Sequence, residues 1–126
     1  MAPFEQQLAE FQRWKGGAAS TRLTSGFLIT VPDVRLPEHE KWSAPNTSIR
    51  FIVPNGYPFA SPDCFWADQS LRLRNLALPQ ATNVQQIPET TQTGLWFSWH
   101  ARAWNPSQDS LVTYFNVILN RLRQAV

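Results

Sequence analysis

The sequence is poor in cysteine and lysine, and it carries little charge. Cys64 is the single cysteine in 126 residues, which excludes a disulfide framework within the chain and any multi-cysteine zinc site. Charged residues make up 16%, with 11 basic against 9 acidic side chains and a net charge of +2. They form no block, so there is no concentrated phosphate-binding face and no nucleic-acid partner is expected. A run of about 18 apolar residues, the length needed to span a membrane, is missing. So is an N-terminal apolar stretch behind a basic segment, so neither a membrane anchor nor secretion is expected and the cytoplasm is the default location. No internal repeat or low-complexity tract is present.

Aromatic residues are abundant. Eight Phe, six Trp and two Tyr in a chain that is 43% apolar exclude disorder, because disordered chains are poor in aromatics and rich in charge. At this length a single domain, residues 1–126, is expected to bury roughly two-thirds of the surface its unfolded chain exposes.

Ten prolines and five glycines divide the chain into elements. Phe4, Leu8, Phe11 and Trp14 recur at spacings of four, three and three, the face of a helix over 3–15, with Pro3 suited to its first turn and Gly16-Gly17 ending it. Trp14 is expected to complete the apolar face as a core residue. Thr21 to Val34 and Ser48 to Val53 read as strands, and Cys64-Phe65-Trp66 as a third extended piece. Ala67 to Gly94 is irregular, with Leu71-Arg72-Leu73 its one candidate strand, and reads as a long functional or mobile loop. Ser107 is the predicted N-cap of a final helix, with Asp109 in its first turn and Leu111, Phe115, Ile118 and Leu122 on one face. Helix, strands, long loop and helix make an α+β domain.

Phe51-Ile52-Val53-Pro54 followed by Tyr57-Pro58-Phe59-Ala60-Ser61-Pro62 resembles the strand and Y-P-x-x-x-P turn of the ubiquitin-conjugating (UBC) fold. Pro58 and Pro62 fix φ and lack amide donors, giving a rigid turn anchored by Tyr57. Pro62-Asp63-Cys64-Phe65-Trp66, Leu71-Arg72-Leu73, Phe97-Ser98-Trp99-His100 and Trp104-Asn105-Pro106 follow in the order of prokaryotic UBC family E, which the chain resembles from about Thr21 onward. The resemblance implies an N-terminal helix, an antiparallel β-meander, a long loop in the active-site region and a C-terminal helix. It also implies a place in a bacterial ubiquitin-like modification operon. The partners would be a ubiquitin-like protein, single or tandem, and a ubiquitin-activating-enzyme-like protein. No cofactor and no metal are expected.

A conjugating enzyme needs a thiolate to accept the ubiquitin-like C-terminus. The resemblance carries that position to Trp96 or Phe97, after Gly94, and neither forms a thioester. The His-Pro-Asn element, whose Asn helps stabilise the oxyanion, is also missing from Ala67 to Thr93. Cys64 falls where conjugating enzymes carry an inward apolar residue and reads first as a small buried hydrophobe, second as a non-standard nucleophile. Ser98 and His100 share one side of an extended segment and match the family's F-S-x-H element. His100 is either a proton carrier or tail contact in a remnant groove, or a structural residue bonded to backbone, and no second His, Cys or acid joins it at ligand spacing in the sequence. Asp109 as the third member of a Ser-His-Asp set is less expected than Asp109 as a helix-dipole partner.

Trp96 and Trp99 have opposite parity, so in a regular strand one of them would be exposed as a partner surface; two Trp stacked over an irregular loop is the alternative. The polar side of the first helix, with Gln6 and Arg13, resembles the place where conjugating enzymes meet their activating enzyme. The resemblance therefore implies a UBC-like component that binds a ubiquitin-like domain or its activating enzyme. The alternative is an unusual transferase using Cys64 or Ser98/His100. Having only Lys15 and Lys41 would limit self-modification in such a system, and composition bias explains the scarcity equally well.

Overall fold

The structure, a computed structural model, describes residues 4–126, so Pro3 lies outside the described residues. Helix α1 (Phe4–Trp14) is followed by β1 (Ala19–Arg22), β2 (Gly26–Arg35), β3 (Asn46–Pro54), β4 (Phe65–Ala67), β5 (Thr82–Gln86), β6 (Thr93–Phe97) and α2 (Leu111–Leu122). All strand pairs are antiparallel in one sheet of order β1-β2-β3-β4-β6-β5. The expected α+β architecture with helices at both ends is present.

The central strand shows how the sequence selects its faces. Side chains alternate across a strand, and in β3 Thr47, Ile49, Phe51 and Val53 are buried while the residues between them are not. Both helices cover this face. Phe11 of α1 meets Phe51 at 6.2 Å and Phe115 of α2 at 5.4 Å, each edge to face, the geometry the ring quadrupole favours. Leu111, Phe115, Ile118 and Leu122 are all fully buried, as their spacing predicts. The opposite face carries a second, smaller cluster of Leu23, Leu28, Trp66 and Ile87, with Ile52 and Trp96 against it. Parity therefore sorts Phe65 and Phe97 to one core and their neighbours Trp66 and Trp96 to the other. At the start of β2, a Cβ on Gly26 would meet Val53 O of β3 at 2.0 Å, so only glycine lets β2 and β3 approach here.

Four local expectations are corrected. Trp14 is 41% exposed, because it sits on the last turn of α1, where its ring meets the edges of Phe11 at 6.0 Å and Phe115 at 5.6 Å and carries Lys15 over it. The final helix is capped by Ser110, whose side chain accepts from Thr113 N–H in a reciprocal capping box, and not by Ser107. The side chains of Asn105 and Asp109 close a turn first: Asp109 accepts the Asn105 N–H at 2.7 Å and Asn105 accepts the Ser107 hydroxyl. Cys64 precedes β4 instead of lying on it, with φ of 61°. Leu73 forms a single bridge to Trp42, not a strand, and Trp42 is itself core, its indole N–H donating to Leu122 O at 3.1 Å. Within the long irregular segment, Thr82–Gln86 forms the edge strand β5, legible only from its pairing because four of its five residues are exposed.

The loop that closes the smaller cluster is tied by one carboxylate. Glu89 accepts the backbone N–H of Thr24 at 2.6 Å, that of Ser25 at 3.1 Å and the Ser25 hydroxyl at 2.7 Å. The Ser25 hydroxyl and then the backbone donors pull its carboxyl down to about 2 from an ordinary 4.5. A depressed folded-state pKa means that this stabilisation is complete above the unfolded value and is lost as pH falls through the folded one. Glu89→Gln should therefore lower the denaturant midpoint at neutral pH, and the gap from wild type should close as pH falls from 4.5 toward 2. A gap that stays constant across that range would contradict the clamp.

Candidate functional site

The Tyr57–Pro62 turn builds one wall. Tyr57 is half-buried between the rings of Phe4, at 6.3 Å, and Trp104, at 6.1 Å. Its hydroxyl donates to Gln7 Oε1 of α1. Burial and then the nearby Asp109 carboxylate push that phenol upward. The indole N–H of Trp104 donates to Pro58 O at 2.7 Å, so the corner before α2, which includes half-buried Pro106, is fastened to the turn. Pro62 is buried and Pro58 half-buried. Phe59 projects from the turn at 75% exposure.

The stretch from Gly94 to Phe97 belongs to the sheet. Phe97 is fully buried, stacked on Phe65 at 4.5 Å and 11°. Trp96 is half-buried over the smaller cluster. A Cβ on Gly94 would meet Ala67 O at 2.9 Å and Trp66 Cβ at 3.1 Å, so the strand is pressed against β4.

Beyond Phe97 the strand stops, and with it the alternation that predicted one exposed Trp. Trp96 and Trp99 are both half-buried, which corrects that expectation. The Arg121 guanidinium stacks between Phe97 at 5.1 Å and Trp99 at 5.6 Å. It donates to Gln80 O at 2.9 Å and Gln124 O at 2.6 Å, which satisfies a cation that is itself 3% exposed. Ser98, Trp99, His100 and Arg102 then line a cavity of about 210 Å³. Ser98 and His100 both line this cavity. Gln6 and Arg13 lie apart from it, on the solvent side of α1.

Cys64 is 8% exposed. Its backbone N–H donates to Trp99 O at 2.9 Å and its carbonyl accepts the Tyr114 hydroxyl at 2.7 Å. Burial pushes the thiol upward, opposed by a hydrogen bond from the Trp99 backbone and reinforced by the Asp63 carboxylate. The residue before Cys64, Asp63, pairs through Oδ1 with His100 Nδ1. Carboxylate oxygen, thiol sulfur and imidazole nitrogen of Asp63, Cys64 and His100 lie within 4.8 Å of one another. His100 therefore does have an acid and a thiol beside it, which corrects the reading from sequence spacing. The acid is Asp63 and not Asp109, whose carboxylate is engaged by the Asn105 N–H. Asp63 and Arg102 are the site residues that sequence reasoning passed over. The only signal for Asp63 was its place between Pro62 and Cys64, and the 37 residues separating it from His100 hid the pair.

Burial predicts how the thiol behaves. With chelator present, a coloured disulfide should label Cys64 slowly in the native protein and stoichiometrically, one thiol per chain, after denaturation. Fast native labelling, at the rate of a free thiol, would contradict the packing.

The family model of prokaryotic E2 family E, a ubiquitin-conjugating-enzyme-like family, matches residues 20–125. No curated protein and no solved structure matches the chain. Among the described residues, no helix is long and apolar enough to cross a membrane. The family match runs from the first strand through the last helix and leaves only α1 and its turn outside, and on that span this chain belongs to prokaryotic E2 family E.

Proposed function

We propose that this chain is a ubiquitin-conjugating-enzyme-like component that acts by binding. It would hold a ubiquitin-like domain, single or tandem, or the corresponding activating enzyme, within a bacterial ubiquitin-like modification system encoded by one operon, in the cytoplasm. It would do so as one domain and without a cofactor. The observation that carries this reading is the fate of the ordinary nucleophile position. Phe97 there is fully buried in β6 and Trp96 packs on the other face, so that stretch of chain is committed to the two cores.

What is left around it suits recognition. The cavity of Ser98, Trp99, His100 and Arg102 combines an aromatic wall, a hydroxyl and a cation. An extended C-terminal tail ending in a carboxylate needs that combination: flat apolar contact along its length and a guanidinium for its charge. The exposed Gln6 and Arg13 of α1, which do not line this cavity, offer polar groups to an activating enzyme.

The convergence of Asp63, Cys64 and His100 favours a second reading, a transferase. Cys64 Sγ would attack the thioester carbonyl of the loaded activating enzyme. The new thioester would form as that enzyme's thiolate leaves, with the Cys64 proton passing to the departing sulfur. Ser98 attacking the same carbonyl with His100 as proton acceptor is the oxygen counterpart.

Intact-mass analysis separates the readings. With activating enzyme, ubiquitin-like protein and ATP, the chain should gain no mass. Cys64→Ser should bind either partner within about twofold of wild type, a difference under about 0.5 kcal/mol. An adduct lost in Cys64→Ser or Ser98→Ala would overturn the binding reading in favour of transfer. Failure to bind either partner would overturn both.

A further inference from the structure

Asp63, Cys64 and His100 offer one oxygen, one sulfur and one nitrogen donor from two segments of chain, with the three ligand atoms within 4.8 Å of one another. This set is unlike a solvated ion pair, because a thiol contributes little to pairing with a carboxylate. A carboxylate-held imidazole beside a thiol is the arrangement the transfer reading uses, and it is equally a set of three metal donors. His100 Nδ1 is engaged by Asp63, while the Cys64 main chain is fixed by Trp99 and Tyr114. Sulfur, imidazole and carboxylate together match a borderline transition cation. Magnesium and calcium take oxygen ligands almost exclusively, whereas zinc takes Cys, His and carboxylate in one tetrahedral shell.

The geometry is close to what zinc requires. Bonds of about 2.3 Å to sulfur and 2.0 Å to nitrogen or oxygen place tetrahedral ligand atoms about 3.5 Å apart. The ligand atoms lie within 4.8 Å of one another, and the side chains of His100 and Asp63, 62% and 59% exposed, would exchange their mutual bond for bonds to the ion. Cys64 is the fixed point, and the exposed pair gives the ion a way in. We propose that Asp63, Cys64 and His100 form a three-ligand site for a zinc-like divalent cation, with a fourth position left open to water or to a ligand. Bound metal would fasten the segment carrying Ser98 and His100 to the turn that ends at Cys64, beside the cavity of Ser98, Trp99, His100 and Arg102. This inference does not rest on the binding reading, since a metal could fill the site in a binding protein. In a transferase using Cys64 it would have to leave first.

Cobalt(II) is the probe. Added to metal-free protein, it should produce a thiolate-to-cobalt charge-transfer band that saturates at one ion per chain. Zinc should abolish the band and magnesium should leave it unchanged. The band should vanish in Cys64→Ser. Asp63→Asn and His100→Ala, both at exposed positions, should keep the native circular dichroism and bind cobalt at least about tenfold more weakly. Absence of the band, its survival in Cys64→Ser, or wild-type affinity in both His100→Ala and Asp63→Asn would overturn the site.

Discussion

The hydroxyl of Tyr114, donated to the carbonyl of Cys64 at 2.7 Å, joins three pieces of the molecule at one buried point. Tyr114 belongs to α2, Cys64 to the exit of the Tyr57–Pro62 turn, and the Cys64 N–H reaches onward to Trp99 O. The phenol is 1% exposed, so without that carbonyl it would be a buried donor lacking a partner, a loss of about 1–3 kcal/mol. Burial pushes its titration upward, reinforced by Asp63 and Cys64, which keeps the proton on the oxygen at any physiological pH. The donor is therefore permanent. It holds Cys64, the neighbour of the Asp63 that pairs with His100.

Around this clamp the sheet serves two cores, and that division explains the arrangement of the site. Adjacent residues of β4 and β6 go to opposite faces, Phe65 and Phe97 beneath the helices and Trp66 and Trp96 over the smaller cluster. A side chain in that stretch cannot be both a packing residue and an accessible nucleophile. Polar chemistry appears only where β6 ends and the chain leaves the sheet, at Ser98 to His100, facing the turn that carries Asp63. Arg121 seals the boundary by stacking on Phe97 and Trp99 while its donors take up free carbonyls. The sheet residues Phe97 and Trp96 thus belong to the two cores, and Ser98, Trp99 and His100 line the cavity just beyond them.

Much of this was legible in the residues. The alternation of Ile49, Phe51 and Val53, the helical spacing of Phe4, Leu8 and Phe11, and that of Leu111, Phe115 and Ile118 each name a buried face. The Tyr57–Pro62 turn and the Trp104–Pro106 corner carry the family resemblance. What stayed hidden depends on contacts distant in sequence. Thr82–Gln86 is polar and exposed, so no hydrophobic period marks it as a strand. Ser107 and Asp109 have the composition of a helix start, but their hydrogen bonds with Asn105 close a turn first, and Thr113 takes the capping-box role more often filled by Glu or Gln. Trp14 continues the apolar stripe past the point where α2 can cover it. Asp63 and His100 meet across 37 residues of sequence, beside a Cys64 of positive φ for which cysteine gives no local signal.

The central claim is that the Tyr114 clamp holds the Cys64 turn against the segment of Trp99 and His100. Tyr114→Phe removes the donor and keeps the ring, so it tests that claim most directly. The variant should remain folded by circular dichroism while Cys64 becomes accessible through local opening. Native-state labelling should accelerate about tenfold or more, as loss of about 1.4 kcal/mol would give, and should outpace global unfolding measured in the same buffer. Labelling that stays at the wild-type rate, or that rises only in step with global unfolding, would contradict the account.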